Sequence, residues 1–419
     1  MSPDLTTTDD IENTIIELSK EPLEEKISDN LLTPDGIKTI DNILRILAKS
    51  NNQIMVVGDI MLDYILECYG TAFFQSQRHN VNEDYSVCRN DVLQDPMEKM
   101  RLGGAANVAY CCSAFSSVTL FGPIGVDMQG KELIRVAEIT ENITPILIPI
   151  QDFVTITKMY FHCLNENNEL HKIIRINREL NEQLGIEKLK PNIKRLGEKF
   201  RSILNSGINC IIFKDHQKGF ITKEFLQEIA QDINNKLHND PEFLVIIDPK
   251  YDWEKFLVFD KVHVVISNVK EAAAGIFSPE TLDGKNTREK AIKSRVNNKK
   301  LNLGDWRYLA QKFPNIENFV VNADGMGSSL YNRPSETVFS LEPYNEKEKS
   351  GVIGSGGVFD AFFVHCLLND KQIRDVLGTE DYRNYLRLAN IASGIKLKKP
   401  TSEKVTIENI YSDLDLYNL

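Results

Sequence analysis

The stretch GVIGSGGVFDAFF, residues 351–363, runs a small glycine-rich loop straight into an apolar helix. Backbone amides at such a helix start cradle anions, phosphate above all. Gly354, Ser355, Gly356 and Gly357 carry no titratable group, and the nearest acid, Asp360, follows in the helix. Its short side chain starts about 5 Å further along the axis than position 357. A second stretch, VVGDIMLDY, closes an apolar run with Gly58 and Asp59 and adds Asp63 four residues on. Two carboxylates so placed can bind several hydroxyls of a polyol; the plain alternative is a turn with a cap. A third, RLGGAANVA, brings Gly103 and Gly104, which let backbone approach a ligand closely. Asn107 follows in the first helical turn, where its amide both donates and accepts. Asp215, Asp248 and Asn268 end further apolar runs. Singly, such a residue is more often a helix cap. Together, beyond the carboxyl ends of parallel strands, they point at one cleft.

The elements that must position them follow from the hydrophobic pattern. IMVVGD (54–59), VTLFG (118–122), CIIFKD (210–215), FLVIIDP (243–249), VHVVISN (262–268) and NFVVNADG (318–325) are short continuous apolar runs. Runs of this kind suit strands buried on both faces of a parallel sheet. Between two of them, Phe225, Leu226, Ile229, Ile233 and Leu237 form one helical stripe. Alternation of strand and helix predicts an α/β fold with a doubly wound, mostly parallel sheet. Two excursions, 64–100 and 155–177, predict a small β-lid over the cleft. The Lys-rich stretch 278–304 reads as a charged surface insertion. Residues 1–40 read as a polar extension with a weakly amphipathic piece around Ile15, Ile16 and Leu18, and 41–419 as one domain.

Composition excludes several classes. The formal net charge of −11 argues against a nucleic-acid-binding face, which is basic. No stretch approaches 18 consecutive apolar residues, so no membrane span is expected. The acidic start lacks the order of a secretory leader. Seven cysteines without a CxxC pair suit reduced thiols in a cytoplasmic protein.

Taken in order, these pieces resemble the ribokinase-type carbohydrate kinase family. The nearer match is its bacterial branch that phosphorylates D-glycero-D-manno-heptose 7-phosphate. That branch has a GD-x-MLD strand end, here Gly58, Asp59, Met61, Leu62 and Asp63, and a GGAANVA helix start, here 103–109. Its ITK and IR strands match Ile156, Thr157, Lys158 and Ile174, Arg175. Its SDYAKG segment looks like KDHQKG, keeping Asp215, Lys218 and Gly219. Its IDPKG segment looks like IDPKY (247–251), its TPN-xx-E segment like SNVKE with Asn268 and Glu271, and its ANxAAG helix like ANIASG (389–394). The resemblance runs from about 40 to 415. The most diagnostic family motif, D-x-x-G-A-G-D-x-F, looks like GVIGSGGVF, with Gly351 and Gly357 in place of both aspartates.

The resemblance implies ATP as phosphoryl donor, Mg²⁺, and a sugar or sugar-phosphate acceptor. It implies that Asp59, Asp63, Gly104 and Asn107 hold the sugar, and that Lys158 and Arg175 face an acceptor phosphate. Asp215, Lys218, Asn268, Glu271, Gly325 and Asn390 are implied on the nucleotide side, with Glu271 reaching Mg²⁺ through water. Gly354 to Gly357 supply the anion hole, and Gly357 stands where the family carries its general base. A homodimer through the lid strands is also implied. Two readings stay open: a slow kinase, or a non-catalytic relative that binds nucleotide or sugar phosphate as a regulator or scaffold. An unrelated dinucleotide-binding protein is disfavoured, because no GxGxxG follows the first strand.

Overall fold

The computed structural model describes residues 7–20, 24–28, 33–68, 73–76, 85–88, 97–164, 170–277, 285–298, 300–323, 326–344, 354–377, 382–399 and 403–416. All six apolar runs are strands of one ten-stranded sheet. Its order is Glu24–Ser28, Thr337–Leu341, Ser328–Asn332, Ile316–Asn322, Val262–Asn268, Leu244–Asp248, Cys210–Lys214, Gln53–Gly58, Ser117–Gly125, Ile143–Ile150. Ser328–Asn332 runs antiparallel to both neighbours, and every other pairing is parallel. Alternate residues of the central strands feed two separate cores. Ile54 and Val56 join the core under helices Pro34–Leu47, Ala105–Cys112, Ser355–Leu368 and Tyr382–Leu397; Met55 and Val57 join the other, under helices Ile193–Leu204, Lys223–Asn239 and Leu303–Lys312. Burial on both faces is why these runs carry no polar alternation. Phe225, Leu226, Ile229 and Ile233 are buried as their spacing predicts.

Both excursions meet in one four-stranded sheet, ordered Leu170–Arg178, Ile156–Leu164, Ile60–Cys68, Met97–Gly104. It begins earlier and ends later than 64–100, because Ile60 pairs with Gly104 directly beyond Asp59.

The start of the chain is more than a polar extension. Helix Thr8–Leu18 is held by a capping box between Thr7 and Asp10 and buries Ile11 and Ile15, whereas Ile16 faces solvent. It lies on helix Leu303–Lys312 so closely that a Cβ at Gly304 would overlap the Ile15 carbonyl oxygen. Strand Glu24–Ser28 then extends the main sheet alongside Thr337–Leu341. The 278–304 stretch also differs from a purely solvated face. Arg295, on helix Lys285–Asn298, is buried, donating to Glu12 Oε2 at 2.8 Å and to Asp305 Oδ1 at 3.1 Å. We expect Gly304→Ala to undock helix Thr8–Leu18. Hydrogen exchange should show protection of 8–18 falling while that of 210–214 holds; unchanged protection of 8–18 would refute the contact.

Candidate active site

Asp59 sits where strand Gln53–Gly58 crosses into the small sheet. Gly58 must be glycine because a Cβ would overlap the Lys214 carbonyl of the neighbouring strand. The Asp59 carboxylate is 1% exposed. Its Oδ2 accepts from the backbone N–H groups of His216 (2.8 Å) and Lys218 (3.1 Å), and its buried Oδ1 has no hydrogen-bond partner. Burial, and then the charge of Asp215, lifts its pKa to about 7. One oxygen thus shapes the 216–218 turn, and the other is buried without a hydrogen-bond partner.

Asp63 lies on the small sheet with Arg101 directly opposite on one neighbour and Lys158 on the other. Arg101 Nη2 donates to its Oδ2 at 3.3 Å, and its buried Oδ1 again lacks a hydrogen-bond partner. Burial pushes the Asp63 carboxyl up, while Arg101, Lys158 and Arg175 oppose the shift. Gly103 makes room for this carboxylate, since a Cβ there would collide with it. Burial pulls the Lys158 ammonium down, against the pull of Asp63. Arg175 is exposed and pairs in register with Tyr160. The small sheet therefore brings one carboxylate, Asp63, together with the cations Arg101, Lys158 and Arg175.

Gly104 begins helix Ala105–Cys112 at φ 58°, a backbone region that favours glycine. Asn107 projects from the first turn against the glycine-rich loop. Gly354 caps helix Ser355–Leu368 in the left-handed conformation, at φ 98°. A Cβ at Gly354 would lie 3.5 Å from Asn107 Oδ1 and 3.8 Å from Arg101 Nη1. Gly356 faces open space, with nothing within 4 Å of where its Cβ would stand. Gly357 is buried, and its Cβ position overlaps the Asn107 Nδ2. A side chain at 357 would thus point at the Asn107 amide. Sequence reasoning misses Arg101 as a site residue; its place opposite Asp63 emerges only once the strands pair.

The remaining candidates divide. Both oxygens of Asp215 are engaged: Oδ2 accepts from Lys255 Nζ at 2.7 Å and Oδ1 from the Gln217 N–H at 2.8 Å. Lys218 reaches Glu179 Oε1 at 2.8 Å, tying the main sheet to the small one. Asn268 and Glu271 form a reciprocal capping box on helix Val269–Ile276, and Glu271 Oε1 also accepts from Lys250 at 2.9 Å. Asn390 donates to the Glu342 carbonyl at 2.7 Å. Gly325 and Gly351 lie outside the described residues. A cavity of about 190 Å³ opens beside the capped helix, lined by Val269, Ala323, Met326 and Glu342. Another, of about 540 Å³, is bounded by Glu12, Arg295 and Trp306, away from Asp59 and Asp63. Among the described residues no group of three His, Cys, Asp or Glu side chains is placed to hold a metal ion. Both Glu271 oxygens accept a hydrogen bond, Oε1 from Lys250 and Oε2 from the Asn268 N–H.

No family model matches the chain. Comparison of the architecture with solved structures finds ribokinase from Giardia lamblia at TM-score 0.57 and 14% identity, over 86% of this chain and 99% of that one. The fold is ribokinase-like. It is shared with Arabidopsis thaliana ribokinase complexed with ribose and ATP (TM-score 0.51, 14% identity, 88% and 100% covered). It is shared too with Escherichia coli phosphofructokinase-2 in complex with fructose-6-phosphate (0.51, 15%, 88% and 99%). Among curated proteins, the chain is similar to the bifunctional protein HldE of a Nitratiruptor species, 23% identical over 360 residues, which is 85% of this chain. The chain spans 64% of the length of that relative.

Proposed function

We propose that this protein transfers a phosphoryl group from ATP to a sugar or sugar phosphate, slowly, because position 357 carries no base. The observation that carries the reading is the pair of buried Oδ1 atoms on Asp59 and Asp63, neither with a hydrogen-bond partner. A buried acceptor without a donor costs about 1–3 kcal/mol, and a ligand hydroxyl removes that cost. The acceptor lies under the small sheet, which serves as its lid, with Asn107 and the Gly104 backbone on the opposite side. Lys158 and Arg175 face an acceptor phosphate, which favours a heptose 7-phosphate-like substrate. The nucleotide enters from the side of the 190 Å³ cavity, and the amides after Gly354 hold the transferring group. Such transfer depends mainly on positioning and charge stabilisation, so loss of a general base lowers the rate by roughly 10²–10⁴-fold without abolishing it. One observation favours the non-catalytic alternative: the Asn107 amide fills the space beside Gly357 where a base would stand.

The acceptor half of the proposal has its own test. A hydroxyl donates better to an ionised carboxylate than to a neutral one. With the Asp59 pKa at about 7, the proton is present below that pH and lost above it. Acceptor affinity should therefore rise as the pH passes upward through that value. In Asp59→Asn the rise should shrink to what the second ionisation of the sugar phosphate, near pH ~6, contributes. Calorimetric titration of sugar phosphates across this range checks it, and a slope identical in the variant would remove Asp59 from the acceptor site.

A further inference from the structure

We propose that the N-terminal segment 8–28 is a clamp on the nucleotide side of the cleft: its docking, and occupancy of the cavity of about 190 Å³ by nucleotide, favour each other. The inference rests on the nucleotide side assigned above. The segment is attached twice. Helix Thr8–Leu18 lies on helix Leu303–Lys312, where Arg307 Nη1 donates to the Leu18 carbonyl at 3.0 Å. Both carboxylate oxygens of Glu12 accept from Arg295. The same guanidinium meets Asp305 and lies 5.0 Å from the centroid of the Phe277 ring. Strand Glu24–Ser28 then covers the edge of the main sheet, with Ile27 opposite Ser340 and Ser28 opposite Leu341.

The elements so held are walls of the cavity. Trp306 comes from helix Leu303–Lys312, Ser340 and Leu341 from the strand beside Glu24–Ser28, and Val269 from helix Val269–Ile276, which Phe277 closes. The cavity of about 540 Å³ shares Lys300, Leu301 and Trp306 with it and adds Glu12. Helix Thr8–Leu18 therefore stands behind Leu301 and Trp306, both buried. Among the described residues that line the smaller cavity none belongs to 8–28. The segment braces the walls and leaves the space open, so docking helps occupancy rather than blocking it. The segment also has two states. An isolated helix shorter than about 12–15 residues is marginal in water, and Thr8–Leu18 has 11. It is helical because it is docked, and such elements open below the global unfolding free energy. Undocked, Thr337–Leu341 becomes the edge strand and the helix carrying Trp306 loses its cover. A ligand that prefers the docked walls shifts this equilibrium by its differential affinity.

The test uses the full chain with ATP as the probe. Saturating ATP should raise the hydrogen-exchange protection of 8–18 by about fivefold or more, the lower end of usual coupling between sites, beyond any change at 210–214. Coupling of this kind is reciprocal. Gly304→Ala, which undocks the helix, should therefore weaken ATP by the same factor in calorimetric titration. Glu12→Gln loosens the contact while Arg295 keeps Asp305, and should give a smaller loss in the same direction with the fold intact. A native chain that binds ATP with unchanged protection of 8–18 overturns the clamp. So does Gly304→Ala binding ATP as tightly as the native chain, or more tightly, with 8–18 undocked and 210–214 still protected. A native chain that binds no ATP overturns the nucleotide-side reading itself and the clamp with it, which is a different result.

Discussion

Lys255→Met should lower the unfolding free energy by about 3–5 kcal/mol, the usual penalty for stranding one member of a buried ion pair. Lys255 donates to Asp215 Oδ2 at 2.7 Å, and the two side chains are 5% and 1% exposed. Without the ammonium, Asp215 keeps only the Gln217 N–H on its other oxygen. The effect should spread to the site. Lys255 is one of the groups that pull the Asp59 pKa down, and Asp215 is the charge that pushes it up. Removing only the cation therefore raises Asp59 further. The double variant Lys255→Met/Asp215→Asn should recover most of the lost stability, because no buried charge is left unpaired. Guanidinium denaturation of the three chains checks this. A loss below about 1 kcal/mol for Lys255→Met, typical of an exposed pair, would mean that Asp215 is open to solvent and free to meet a ligand.

Lys255 also marks how far the sequence can be read. Asp215 is legible in the sequence as a cleft residue because it ends an apolar run; its nucleotide-side role is what the resemblance implies. What the run does not reveal is Lys255, forty residues later on a short helical turn, folding back to neutralise it. Asn268 and Glu271 carry a signal that points the other way: Asn-x-x-Glu ahead of an apolar helix is a capping box, and the structure builds one. The six central strands are legible because both faces are buried, so nearly every residue is apolar. Four others are not. Ile143–Ile150 contains Pro145 and Pro149, tolerated because it is an edge strand. Ser328–Asn332, Thr337–Leu341 and Glu24–Ser28 are five residues each and mix polar with apolar positions. The glycines at 103 and 104 and the pair Asp59 and Asp63 are legible as a candidate site because close approach and paired carboxylates have few structural uses. Arg101 is not, since its meaning lies in its register opposite Asp63.

Gly357 is the position on which the proposed slow phosphoryl transfer turns. Its neighbours are Gly354 in the left-handed conformation, open space beside Gly356, and helix Ser355–Leu368 behind. A carboxylate at 357 would point at Asn107, whose amide overlaps the Cβ position and must rotate aside. That movement is a side-chain one, and the displaced amide can donate to the new carboxylate. Asp360 is not expected to substitute. It is buried deeper along the helix, with Lys214 beside it, and burial lifts its pKa to about 6. Steady-state ADP release with ATP and a panel of sugar phosphates, run on the native chain and on Gly357→Asp, is the decisive measurement. Gly357→Asp should be at least ~10²-fold faster with one acceptor, the lower bound for a general base, at similar nucleotide affinity. A native chain already as fast as the variant would contradict the missing-base reading.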